Sequence, residues 1–171
     1  MDKVVRLICH PDTPARGVEG VEARVRVAAG QWVLDYAVAG ARPLLPSPAA
    51  PQRTDGLWQT TCFELFIEDG TGDYSEFNFA PSMQWAAYRF SGYRQGMNDL
   101  PLSAPRVEPM EEGIRVTLDF PVENGARFGL SAVIEEVDGT KSCWALAHPP
   151  GKPDFHHPDC FALQVEAGDN S

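Results

Sequence analysis

Along most of the chain, apolar and polar residues alternate with a period of two. Val21, Ala23, Val25 and Val27 alternate with Glu22, Arg24 and Arg26, the pattern of a strand buried on one face. Residues 31–38 repeat it after the short turn Ala29–Gly30, so the two segments predict a hairpin. Further strands are predicted over residues 57–67, 74–79, 84–90, 114–120, 128–136, 142–147 and 160–165. Asp138–Gly139 is a hairpin signal between two of these. Two proline-rich segments break the pattern, residues 40–56 and 148–158. Proline cannot donate to a strand ladder, so both are predicted as surface loops. No stretch carries the 3.6-residue period of an amphipathic helix. About nine to eleven strands with regular turn signals predict an all-β fold, an antiparallel β-sandwich of immunoglobulin-like or jelly-roll-like type.

At 171 residues the chain has the length of one domain, and residues 1–171 are read as such. Its 15 glycines and 15 prolines agree with a turn-rich β protein. The formal charge of −10, from 14 basic and 24 acidic residues, argues against nucleic acid and anionic membranes, which both demand a positive field. No apolar run approaches the ~20 residues of a membrane helix. Cys9, Cys62, Cys143 and Cys160 are widely spaced, with no CxxC pair. They read as free thiols, three of them within apolar strand-like runs, as expected in a reducing compartment. The first ten residues read as no secretion leader, so the expected location is cytoplasmic.

Strand register decides which polar residues meet. Phe63, Leu65 and Ile67 form one apolar row and Phe77 and Phe79 another, so burying both together places Glu64, Phe66, Tyr74, Glu76 and Asn78 on the other face. A two-residue turn at Pro81–Ser82 pairs Asn78 with Trp85, Glu76 with Ala87 and Tyr74 with Arg89. That register gathers Glu64, Glu76, Asn78, Trp85, Arg89 and Tyr74 on one face. Planar hydrogen-bonding groups beside an aromatic ring suit a sugar, whose hydroxyls need donors and acceptors and whose C–H faces need an apolar platform. A glutamate–arginine cross-strand pair on an outer face accounts for several of the same residues without a ligand.

Three of the four histidines fall within ten residues, His148, His156 and His157, with Asp154 and Asp159 close by. The spacing matches no metal signature. The segment reads either as a rigid loop bonded to its own backbone or as a ligand-binding loop offering His148, Lys152, Asp154 and His156. Glu64 and Glu76 also have the makings of an acid–base pair in a glycan-processing enzyme. Phosphate-binding glycine motifs are missing.

The run Asp55-Gly56-Leu57-Trp58 to Glu64-Leu65-Phe66, followed by Tyr74-Ser75-Glu76-Phe77 and Pro81, resembles the DOMON-like group related to family 9 carbohydrate-binding modules. Trp85, Gly92-Tyr93-Arg94 and the segment 142–156 extend the resemblance to a bacterial intracellular branch, over residues 53–161. The resemblance implies a β-sandwich that binds sugar or haem and is not itself catalytic. Its sugar-binding members hold a terminal sugar between two tryptophans, which here implies Trp85 with Trp58 or Trp144. Its haem-binding members use methionine and histidine, which here implies Met83 or Met97 with His148; without a CxxCH the haem is b-type.

The resulting expectation is a non-catalytic module for a carbohydrate or sugar-like small molecule, needing no cofactor. Its contacts are Trp58, Glu64, Glu76, Asn78, Trp85, Arg89, Trp144, His148, Lys152, Asp154 and His156. A b-type haem domain and a glycan-processing enzyme are the alternatives. The oligomeric state is not legible.

Overall fold

A computed structural model of the chain describes residues 1–47 and 49–166. Twelve strands follow in order: β1 (Asp2–Cys9), β2 (Val18–Ala28), β3 (Gln31–Gly40), β4 (Cys62–Glu68), β5 (Tyr74–Phe79), β6 (Trp85–Phe90), β7 (Asn98–Asp99), β8 (Arg106–Met110), β9 (Gly113–Asp119), β10 (Arg127–Glu135), β11 (Lys141–Ala145) and β12 (Leu163–Gln164). Two short 3-10 turns, Leu57–Gln59 and Pro158–Cys160, are the helical elements among the described residues. The neighbouring strands run β7-β6-β5-β4-β10-β11-β1-β2-β3-β9-β8, with β12 also paired to β10. Every strand pair is antiparallel.

The sheet curls into two layers at β1. Residues Asp2 to Leu7 pair with β2, whereas Ile8 and Cys9 pair with Ala145 and Trp144 of β11. One strand thus serves both layers and leaves no open edge between them.

The core lies between the layers and follows the predicted alternation. Val21, Ala23, Val25 and Val27 of β2 and Trp32, Leu34, Tyr36 and Val38 of β3 face inward from one side. Phe63, Leu65 and Ile67 of β4, Phe77 and Phe79 of β5, and Phe128 to Ile134 of β10 on alternate positions face them from the other. Trp32 meets Phe128 edge-on at 5.3 Å between ring centroids. The Tyr36 hydroxyl donates to the Glu64 carbonyl across the interior at 2.6 Å, so its polar end is satisfied although the ring is buried.

Three features differ from the sequence reading. Residues 57–59 form a 3-10 turn before β4 begins at Cys62. β1, β7 and β8 add strands where no strand is predicted. The third is the β5–β6 connection. The Ala80 amide donates to the Gln84 carbonyl and the Met83 amide to the Ala80 carbonyl, both at 2.9 Å. Met83 is left-handed, with φ 72°. The loop therefore has three residues, a type I turn closed by a left-handed residue. Asn78 pairs with Ala86, Glu76 with Tyr88 and Tyr74 with Phe90. This one-residue slip reverses the whole of β6. Trp85 and Ala87 join the interior, and Ala86, Tyr88 and Phe90 take the face of Glu64 and Glu76.

Candidate functional site

The outer face of the β4–β5–β6–β10–β11 layer carries its own apolar cluster. Cys62 and Phe66 of β4, Tyr74 of β5, and Ala86, Tyr88 and Phe90 of β6 pack with Leu57, Cys160 and Phe161. Loops cover part of this face and leave a cavity of about 940 Å³, within the range of small-molecule sites. Glu64 and Glu76 lie in its floor, and Tyr88, Phe90, Val133 and Cys143 extend it across the strands. Asp55, Gly56 and Trp58 contribute from one loop, Arg94 and Met97 from the β6–β7 connection, and Pro153, Phe155 and His156 from the proline-rich segment.

The floor is a connected polar network. Glu64 and Asn78 are directly opposed on β4 and β5, and Glu76 lies two residues further along the same face. Glu64 is 3% exposed, Glu76 6% and Asn78 1%. Ser131 of β10 donates to Glu64 Oε2 at 3.0 Å. The Asn78 amide nitrogen donates to Glu76 Oε1 at 2.9 Å, while Asn78 Oδ1 is buried without a partner among the described residues. The Arg94 backbone amide donates to the Tyr74 hydroxyl at 3.2 Å, and that hydroxyl lies 2.7 Å from His156 Nδ1. His156 Nε2 is 3.6 Å from Glu76 Oε2.

Electrostatics follow burial. Desolvation, reinforced by the Glu76 carboxyl, pushes Glu64 up to about 8. Desolvation also raises Glu76, against the hydrogen bond from Asn78. His156 is held at about 4 by burial, with Arg94 adding to the effect. At neutral pH the histidine is therefore neutral and the carboxyl pair retains a proton.

Of the sequence-predicted residues, Trp58, Glu64, Glu76 and His156 line the cavity, and Asn78 braces its floor. Trp85 and Arg89 are corrected to the other face. Trp85 is buried in the core with the Arg53 guanidinium 4.6 Å above its ring. Arg89 pairs with Asp69 and Asp73 and donates to Ser75. Trp144 is also interior, its indole N–H donating to Ser142 Oγ at 2.8 Å. The pair of facing tryptophans implied by the family resemblance is thus not assembled, because Trp85 and Trp144 belong to the sandwich interior.

Lys152 and Asp154 line a separate, shallower hollow beside the cavity. Asp154 accepts from Arg94 at 2.8 Å and from the His156 backbone amide at 3.2 Å, which orients both residues toward the cavity. His148 is not part of the cavity wall; its Nε2 lies 2.7 Å from the Ile8 carbonyl and its ring abuts His10. Met97 lines the cavity, whereas Met83 sits in the β5–β6 loop. The methionine and histidine of the haem alternative are therefore not gathered at one wall. No group of three or more metal-ligating side chains occurs among the described residues.

Sequence reasoning missed Tyr88, Phe90, Arg94 and Phe155 as cavity residues. The first two were hidden by the register error. Pro81 was the available signal: its φ is locked near −65°, which fits a type I turn and not the positive φ that two-residue hairpin turns require.

No protein-family model matches the chain, and no curated protein sequence matches it. Among solved structures the chain is similar to a crystal structure of a "putative carbohydrate-binding protein" from Bacteroides uniformis ATCC 8492. The two share 14% identity over 96% of this chain and 87% of that one, with a TM-score of 0.69. Similarity at this identity establishes a common β-sandwich fold.

Proposed function

We propose that the protein is a binding module for a carbohydrate or sugar-like small molecule, held in the cavity on the outer face of the β4–β5–β6–β10–β11 layer. One observation carries the reading. Two buried, hydrogen-bonded carboxyl groups, Glu64 and Glu76, open into a cavity that has the exposed ring of Trp58 at its margin. Carboxyl oxygens match vicinal hydroxyls, and an aromatic ring matches the apolar face of a pyranose. His156 and Arg94 supply further polar contacts, and Phe155, Tyr88 and Phe90 supply apolar wall. The fold shared with the Bacteroides uniformis protein supports this reading, as does the resemblance of residues 55–82 to the DOMON-like group. A chain of charge −10 favours a ligand without phosphate groups. Four free cysteines fit the proposed cytoplasmic location.

Fluorescence tests the proposal. Of the four tryptophans, Trp58 is 56% exposed while Trp32, Trp85 and Trp144 are buried. A sugar stacking in the cavity therefore alters the solvent-exposed component of the emission. Titration with mono- and disaccharides is expected to give a saturable change that Trp58→Ala abolishes. A saturable change that survives Trp58→Ala contradicts the placement.

A further inference from the structure

The floor of the cavity is polarised beyond what holding hydroxyl groups requires. Glu64 and Glu76 lie on adjacent strands, on one face and offset by two residues, with Asn78 between them. The donors around them are unequally shared. Glu76 receives the Asn78 amide at Oε1 and faces the His156 ring at Oε2. The Arg94 amide donates to the Tyr74 oxygen, which lies 2.7 Å from His156 Nδ1, and we take the Tyr74 O–H as the donor in that contact. That leaves the ring proton of His156 on Nε2, facing Glu76. Glu76 thus accepts one hydrogen bond, from Asn78, and has a second N–H group, on His156, within 3.6 Å, which makes it the better placed of the two to carry the charge. Glu64 receives one donor, Ser131. Its cross-strand partner Asn78 presents a buried acceptor, Oδ1, to which no described group donates. Protonation of Glu64, the residue directly opposite on β4, would place a donor on the strand facing it.

We propose that this cavity is an acid–base site acting on the hemiacetal of a bound reducing sugar, with Glu64 as proton donor and Glu76 as proton acceptor. The inference rests on the sugar-binding reading and names its substrate class. Glu76 removes the proton from the anomeric hydroxyl as Glu64 protonates the ring oxygen. The bond between the anomeric carbon and the ring oxygen breaks, and a carbonyl forms. After rotation about the adjacent carbon–carbon bond, the former ring hydroxyl adds to the other face of that carbonyl. It returns its proton to Glu64, and Glu76 returns its own to the new anomeric oxygen. Atoms and charge balance without a cofactor, and the product is the opposite anomer. Tyr74, His156 and Asn78 are positioning residues that keep Glu76 the acceptor. The titratable and charged groups facing the pair are Cys62 on β4, Tyr74 on β5, Tyr88 on β6, Cys143 on β11, and Asp55, Arg94 and His156 from the loops. Asp154 stands behind Arg94 and His156.

The test is anomer exchange, followed by polarimetry or NMR from pure α-anomers of reducing mono- and disaccharides, with the full chain at pH 7. Those sugars that bind are expected to equilibrate faster than in buffer. Glu64→Gln and Glu76→Gln are each expected to slow the catalysed rate, read at saturating sugar, by about 100-fold or more. The wild-type rate is expected to fall above about pH 8, where Glu64 loses its proton. Sugars that bind but exchange at the buffer rate overturn the inference and leave the binding function standing. Failure of every sugar to bind overturns both. Should a variant not fold, the wild-type pH profile decides, and a rate unchanged between pH 6.5 and 9 overturns the assignment of Glu64.

Discussion

Glu64 shows how one residue couples the cavity to the stability of the fold. Its carboxyl is buried by its own strand, by β5 and by β10, and water reaches it through the cavity. A glutamate titrates near 4.5 when free, and Glu64 titrates near 8 in the folded chain. Between those values the folded state binds the extra proton, so the contribution to stability is present at low pH and is lost as pH rises through 8. His156 acts in the opposite sense over a lower window. Its folded value of about 4 lies below the free value of 6.5, so its contribution is present above 6.5 and is lost as pH falls through 4. Of the two, Glu64 alone is active from pH 6.5 to 8. Urea unfolding over that interval is expected to show a stability loss of up to about 2 kcal/mol, and Glu64→Gln is expected to remove most of it. A wild-type stability that is constant or rises over the interval contradicts a protonated Glu64. Glu64, Glu76, Asn78 and His156 were legible in the sequence because each stands out as polar among aromatic neighbours. The neutral state of the carboxyl was not, because it depends on what the loops exclude from the floor.

At the scale of elements, the β5–β6 hairpin separates what alternation reveals from what it hides. Period-two patterning places a strand at residues 84–90 but leaves its pairing partner open by one residue. The loop chemistry decides, through Pro81 in the turn and Met83 in a left-handed conformation at φ 72°. Because β6 carries aromatic residues on both faces, Trp85 and Phe90 being buried on opposite sides, hydrophobicity alone does not choose between the registers. A non-glycine left-handed residue costs about 1–2 kcal/mol. Met83→Gly is therefore expected to raise the unfolding free energy by about 1 kcal/mol, less the extra freedom of glycine in the unfolded chain. Chemical denaturation reads this directly. A destabilisation by the same amount would show that the Met83 side chain holds the loop by contacts stronger than its backbone strain.

At the scale of the molecule, the two-layered β architecture was legible and the curl was not. β1 passes from one layer to the other, and Val4 and Ile8 are each 56% exposed on it. The strand alternates exposed and covered positions, but Val4 and Ile8 fall on the exposed set and Lys3 on the covered one, so residue polarity does not follow the alternation. The two proline-rich segments were legible as loops, and both reach the cavity, through Asp55 and Gly56 and through Pro153, Phe155 and His156. What no local pattern reveals is that the outer face of a sandwich layer has its own apolar cluster and encloses a cavity. No described helix is long and apolar enough to cross a membrane. The proposed sugar site is this cavity. Isothermal titration of the full chain with mono- and disaccharides tests it most directly, when repeated on Trp58→Ala and Glu76→Gln variants of unchanged circular dichroism. One site per chain is expected, with affinity weakened about tenfold or more in each variant, a loss of about 1.4 kcal/mol. Absence of binding by every sugar, or affinity unchanged in both variants, would contradict it.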